Sequence, residues 1–270
     1  MPKLPEAGLA LTGGLKDLIA GFADWRRWAW LGWYDVKLAN RRSFVGAWWP
    51  TISVGIFVFG IGHLFAYLFG RPLEAFFPHI AVGWVVWQMI QTAVSSGTTC
   101  FTSARVVLQE AVMPINAIPL RQLVRIVIHF FMNSTLIAAA FLYSGQSVTW
   151  GALWAIPGLA VVIATLHGAM LFAGLVCVRV RAFGLLVDAG MRFAFFLTPI
   201  IWMPSVEGGV LGSLLKYNPF YYLVEVVRAP LISGNIDISV MLYAAGFSVI
   251  INIMAFFALV VLRRDLVLWA

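Results

Sequence analysis

Four stretches of this chain, residues 43–70, 75–104, 126–178 and 238–262, contain no Asp, Glu, Lys or Arg. A helix crosses the hydrocarbon of a bilayer with roughly 20 predominantly apolar residues, so each stretch accommodates one crossing and the third accommodates two. With 62% hydrophobic residues and 11% charged residues, the chain lies far from the composition of soluble globular domains. It reads as an all-α integral membrane protein. A transmembrane β-barrel would show short segments of strict alternation, and the sequence has none.

A further crossing over 185–203 brings the expectation to six transmembrane helices per protomer, at about 45–69, 79–103, 120–143, 152–178, 185–203 and 238–262. These form a single transmembrane domain over 43–270, preceded by a cytoplasmic amino-terminal segment, 1–42. The net charge of +7 does not point to nucleic acid, because it is distributed by topology. On the six-span plan, fifteen of the eighteen basic residues fall on or near one side, leaving Arg71, Lys216 and Arg228 on the other. The positive-inside rule then puts both termini in the cytoplasm. Residues 1–42 contain no uninterrupted apolar core of a cleavable signal. Cys100 and Cys177 fall inside spans and read as free buried thiols, and the four histidines lack ligand spacing, so no metal is assigned.

Over 15–34, the apolar residues Leu15, Leu18, Ile19, Phe22, Trp25, Ala29 and Trp33 share one helical face, with Lys16, Asp17, Asp24 and Arg27 off it. An amphipathic helix this aromatic suits the headgroup plane of the membrane. Docking on the cytoplasmic side of the bundle is the alternative.

The second span carries a polar stripe. Gln88, Thr92, Ser95, Thr99 and Thr102 recur at steps of four, three, four and three, with Gln91 beside them and Trp84 one turn above Gln88. Hydroxyls can bond back to their own helix. Amides have more groups to satisfy and cost more to desolvate, which favours a polar pathway. In the third span Arg121, Arg125, His129 and Asn133 stand four apart. Asp188, the one acid expected inside a span, precedes Arg192 by one turn, the spacing of an ion pair.

The stretch 198–234 is apolar yet interrupted by Pro199, Pro204, Gly208, Gly209, Pro219 and Pro230. Broken backbone at membrane depth survives only where protein buries it or where it lines a cavity. The expectation is a bend at Pro199, then two short re-entrant helices, about 205–216 and 220–231, in a gate region over 204–234.

No phosphate-binding loop is present, since the chain lacks even a Gly-Lys dipeptide, and no catalytic triad or carboxylate pair can be assembled near the membrane. Transport powered from elsewhere is what remains.

The pattern as a whole resembles the transmembrane permease subunits of ABC exporters of polysaccharides, of the O-antigen, capsule and teichoic-acid type. The resemblance rests on the amphipathic amino-terminal helix, the basic approach Asn40-Arg41-Arg42-Ser43-Phe44-Val45-Gly46-Ala47-Trp48, and the loop from Val107 through Pro114 to Arg121. It continues in Arg179-Val180-Arg181, the Thr198-Pro199-Ile200 break, and Asn218-Pro219-Phe220 with Glu225 and Arg228. Val45 and Ala182 depart from the family's usual Leu and acidic positions.

The resemblance implies a homodimer with two copies of a separate ATPase subunit that binds ATP and Mg, no cofactor in this chain, and a place in the bacterial inner membrane. It assigns ATPase coupling to the amphipathic helix and to Leu108, Gln109, Glu110 and Pro114. The cargo implied is a glycan on a polyprenyl-diphosphate lipid, whose anionic group Arg41 and Arg42 would attract at the lipid-diphosphate portal; a purely topogenic role fits those two equally well. Rings interleaved with small polar side chains suit sugars. Trp48, Trp49, Trp84, Trp87, Gln88, Gln91, Thr92, Ser95 and Thr99 are accordingly expected along the channel, although the tryptophans also suit an interfacial belt. Pro199, Tyr217, Asn218, Pro219, Phe220, Tyr221 and Tyr222 are expected at an outer gate.

Overall fold

The computed structural model describes residues 4–39, 41, 45–70, 72–104, 113–203, 214–263 and 266. Every regular element among them is helical. In chain order these are α1 (Leu4–Ala23), α2 (Trp25–Ala39), α3 (Trp49–Leu68), α4 (Leu73–Gly97), the short α5 (Cys100–Ser103), α6 (Ala117–Ser144), α7 (Ala155–Arg179), α8 (Ala182–Leu197), α9 (Pro219–Ser233) and α10 (Ile238–Leu262). Single 3₁₀ turns, Gly46–Trp48 and Trp150–Trp154, lead into α3 and α7. Five of the helices, α3, α4, α6, α7 and α10, are long and apolar enough to cross a membrane.

The sixth expected crossing is cut short. α8 has 16 residues, about 24 Å at 1.5 Å per residue, against a hydrocarbon thickness of about 30 Å. Thr198 leaves the helix with φ −94° and ψ 131°, because a residue before proline is pushed out of the α region. Pro199 therefore ends this helix instead of bending it. The second span also shifts: it starts at Leu73, takes Pro78 into its second turn, and stops at Gly97 before a turn into α5. Of the two expected re-entrant helices, the first lies mostly outside the described residues. The second is α9, started by Asn218, whose Oδ1 accepts from the Phe220 amide at 3.0 Å, and by Pro219 at the first helical position. It closes on Gly234 at φ 70°, the left-handed conformation that glycine adopts without penalty.

The expected amino-terminal helix is two helices meeting at Asp24, and both dock on the bundle. α2 lies against α6, where a side chain at Gly32 would strike the Arg121 carbonyl at 2.5 Å. Arg121 forks onto Asp35, Nε and Nη2 donating to the two carboxylate oxygens at 2.8 and 2.7 Å, the strong bidentate form of the pair. α1 lies along the end of α10, and Asn116 joins it to the bundle: Nδ2 donates to the Leu18 carbonyl at 3.3 Å, while Oδ1 accepts from His167 at 2.8 Å. On their outer faces Leu15, Ile19, Phe22, Trp25, Trp30 and Trp33 remain exposed.

α4 is the axis of the core. It packs against α3, α6, α7, α8 and α9, and the fully buried Phe76, Ile80, Trp87 and Ile90 lie along it. Near its end Gly97 lets the backbone of α7 come close, since a β-carbon there would meet Met170 Cα at 2.7 Å. α7 and α10 pack along their lengths, and α10 is the least buried of the long helices.

The broken segment 198–203 is held by Arg228 of α9, which is 2% exposed. Its Nη1 donates to the Pro199 carbonyl at 2.6 Å and lies 3.1 Å from His79 Nε2 of α4. Its Nε donates to Glu225 Oε2 at 3.0 Å, and Nη2 contacts the same oxygen. His79 Nε2 is also 3.2 Å from the Trp202 carbonyl; a ring nitrogen either donates or accepts, so one of its two contacts is a hydrogen bond at a time. Arg228 is thus enclosed by the fold, and Glu225 one turn earlier answers its charge within the protein.

Replacing Arg228 with Leu strands the Glu225 carboxylate and the Pro199 carbonyl in a dry site. The expected loss is about 3–5 kcal/mol, read as a fall in thermal unfolding temperature in detergent, and Arg228→Lys should not restore it because an ammonium lacks the planar fork. In α1, burial pushes the Asp17 carboxyl above its ordinary value, opposed by the Ile115 amide and by the Arg263 charge. A folded-state pKa raised above the unfolded value means that this group favours folding most at low pH, and that its contribution is lost as pH rises through the folded pKa. Asp17→Asn should therefore unfold at a higher temperature than the parent at pH 7, with the difference vanishing toward pH 4.

Candidate functional site

The polar residues of α4 face two neighbours. Toward the middle of the bundle, Gln88 Oε1 accepts from Asn133 Nδ2 of α6 at 3.2 Å, and Asn133 Oδ1 accepts from Thr51 Oγ1 of α3 at 2.8 Å. Farther along, Ser95 Oγ donates to Asp188 Oδ1 of α8 at 2.8 Å. Arg192 reaches the Asp188 backbone carbonyl at 3.3 Å, so the expected one-turn contact forms through the main chain. Two members of the polar stripe thus tie α4 to three helices, as buried amides and hydroxyls must in a medium without water. Thr92 and Thr99 remain exposed and Gln91 half-buried.

Among the expected channel tryptophans, Trp48 and Trp49 are exposed at the start of α3. Trp84 is half-buried between Phe57 and Phe195, at ring distances of 4.1 and 5.6 Å. Trp87 is a correction: it is 1% exposed and packs on Phe195 and Phe220. A side chain sealed inside its own protomer is part of the core and lines no channel. Its place follows from α4 being enclosed nearly all round, which the hydrophobic pattern of a single helix does not reveal.

Pro199 and Asn218 are buried, and Asn218 Nδ2 donates to Thr198 Oγ1 at 3.0 Å, stitching the start of α9 to the end of α8. Pro219 begins α9. Phe220 is half-buried on Trp87, and Tyr222 stacks on Tyr243 at 4.8 Å while its hydroxyl donates to the Lys216 carbonyl at 3.0 Å. Tyr221 packs edge-on to Tyr222. Tyr217 alone of these aromatics stands free of the fold, 88% exposed. The expected gate residues therefore gather around one break, but most are engaged in holding it.

Arg41 is exposed. Arg42, Leu108, Gln109 and Glu110 lie outside the described residues. Pro114 is half-buried just before Ile115, whose amide donates to Asp17 Oδ1 at 3.4 Å. The segment expected to couple to an ATPase is therefore fastened to the amino-terminal helix at its far end.

Two cavities of about 550 Å³ each are present. One, between α6, α7 and α9, is walled almost wholly by hydrocarbon. The other lies between α2, α4, α5 and α6 and is lined by Asp35, Ser96, Thr99, Ser103, Arg121 and Arg125 among others. The Asp35–Arg121 fork and this polar cavity went unread in the sequence. The available signal was the row Arg121, Arg125, His129 and Asn133, whose partners sit on other helices far along the chain.

Residues 26–232 match the family described as ABC-2 type transporter. The chain is 24% identical over 229 residues to a Klebsiella pneumoniae protein named O-antigen export system permease protein RfbA, covering 83% of this chain and 87% of that protein. A second Klebsiella pneumoniae protein of the same name is 20% identical over 205 residues, covering 75% and 79% respectively. A family match extending from α2 through the amphipathic and spanning helices to the end of α9 takes in the broken segment and its Arg228 clasp. The chain belongs to the ABC-2 type transporter family, as a transmembrane permease subunit.

Proposed function

We propose that this chain is the permease through which a polysaccharide on a polyprenyl-diphosphate lipid is exported across the bacterial inner membrane, with both termini in the cytoplasm. Two copies form the channel, and a separate ATPase subunit in two copies supplies the work with its own ATP and Mg. The observation that carries the reading is the similarity, over most of both chains, to permeases named for O-antigen export. The lack of any phosphate-binding loop supports a separate energy source.

Dimer formation is supported by the unpartnered apolar faces of α3 and α8. Ile56 and Leu64 on the first, and Leu185, Phe193 and Phe196 on the second, are more than half exposed. α8 buries Met191 and little else within the chain, and a helix of its length is better accommodated beside a second copy than alone in lipid. The exposed tryptophans of α2, Trp25, Trp30 and Trp33, and the exposed Leu15 and Ile19 of α1 support a position at the headgroup layer while the opposite faces dock on the bundle. The break at 198–203 and the exposed Tyr217 support an outer gate above this channel.

Deleting the gene should leave lipid-linked glycan accumulating inside the cell and absent from the surface, as measured by fractionation and glycan staining. Normal surface glycan together with altered efflux of a drug or lipid would replace the polysaccharide reading with one of those cargoes. Failure of the purified chain to bind and stimulate any ATPase would leave a scaffold. For coupling, reversing Glu110 to Arg together with Gln109→Trp should leave ATP hydrolysis running while glycan export falls at least tenfold, measured on the reconstituted complex.

A further inference from the structure

We propose that the polar cavity between α2, α4 and α6 is a binding site for the phosphate headgroup of a membrane lipid, with Arg125 as the cation that receives it. Three observations converge on this. The first is electrostatic. The cavity holds two arginines and one carboxylate, and Asp35 already answers Arg121 through the two-bond fork. Arg125, one turn farther along α6, is half-buried and has no hydrogen bond or ion pair among the described residues. Among the described residues the site thus carries one positive charge in excess, in surroundings where a cation without a counterion is costly.

The second observation is the chemistry of the walls. Ser96, Thr99 and Ser103, from α4 to α5, line the cavity with Gln122 of α6. The three hydroxyls donate to carbonyls three residues earlier at 3.3, 3.3 and 3.1 Å, beyond the long end of such bonds, with Thr99 standing in the turn between α4 and α5. They are free to turn toward an acceptor with a stronger charge. Tetrahedral phosphate offers several acceptor oxygens and matches the guanidinium fork. Met113 and Ile118 complete the wall with hydrocarbon, which suits the root of a lipid tail and would be wasted on a free ion.

The third is depth. α6 has 28 residues, about 42 Å, and so exceeds the hydrocarbon thickness by about 12 Å. Arg125 stands eight residues from the start of α6, about 12 Å along it. Arg125 is also the last charged residue before the charge-free run 126–178, where a chain passes from the headgroup layer into hydrocarbon.

Identifying the lipid as the cargo carrier rests on the export function proposed above; the phosphate site does not. The test uses the purified full chain in phosphatidylcholine nanodiscs, titrated separately with polyprenyl diphosphate, phosphatidylglycerol and inorganic pyrophosphate, with binding read by native mass spectrometry. Polyprenyl diphosphate should bind the parent chain, and Arg125→Gln should weaken it about tenfold, the loss of one charge-assisted contact. Arg125→Lys should fall between the two, which keeps the test valid if the glutamine variant folds poorly. Arg26→Gln, removing an exposed cation of α2, should change affinity less than twofold.

Equal binding by the parent and both Arg125 variants would overturn the site, as would an equal loss on removing Arg26. Equally tight binding of inorganic pyrophosphate would overturn its assignment to a lipid. Phosphatidylglycerol binding as tightly, with the same dependence on Arg125, would uphold the lipid-phosphate site and reassign it from cargo to bulk phospholipid. Normal surface glycan in the deletion strain, with Arg125-dependent lipid binding intact, would sink the export reading and leave the site standing.

Discussion

A guanidinium buried at the break over 198–203 makes the non-helical part of this protein tolerable in a bilayer. Residues 198–203 leave the α8 helix before a proline, and their freed carbonyls have no water to turn to. Arg228 supplies the donor at Pro199, Asn218 supplies another at Leu197, and Glu225 holds the arginine in orientation. α4 supplies the wall: at Gly83 a β-carbon would lie 3.2 Å from Arg228 Nη1 and 3.6 Å from Ile200. The break, the short helix α9 and the central span are therefore one mechanical unit. Anything that moves α9 moves the carbonyl on which the end of α8 hangs.

The opposite end is organised by a second set of polar ties. Asp35 fixes Arg121, Asp17 meets Ile115, and Asn116 bridges Leu18 to His167. These contacts join the amino-terminal helices to the root of α6, beside the loop expected to meet an ATPase. A push delivered there has a continuous hydrogen-bonded route into α6 and α7. Between the two ends the bond from Asn133 to Gln88 links α6 to the same α4 that backs the break over 198–203.

Most of the architecture was legible in the charge-free runs, because hydrocarbon admits few alternatives to a long helix. The five long helices fall where those runs place them. The broken region around Pro199 was legible for the same reason, since proline and its preceding residue act locally. The length of α8 was not. An apolar run measures composition, whereas the helix ends where Pro199 forces Thr198 to extend. Burial was likewise illegible: nothing in α4 alone distinguishes Trp84, half-buried beside α3, from Trp87, sealed beneath α8 and α9. The burial of Arg228 was illegible too, because its partners stand on another helix and in a distant break, apart from Glu225 within its own turn.

The enclosure of α4 has a consequence for how the protein is made. It is the least apolar of the five long helices and the most enclosed by protein, while α10 is the most apolar and the least enclosed. As it leaves the ribosome α4 carries His79, Gln88, Gln91 and a row of hydroxyls, while Asn133, Asp188 and Arg228, which come to lie against it, have yet to be synthesised. Its early residence in lipid is therefore provisional, and its final seat exists only after α6 through α9 have been made. α10, by contrast, is a helix that lipid accepts unaided, so it needs little help from its neighbours while α4 waits for them.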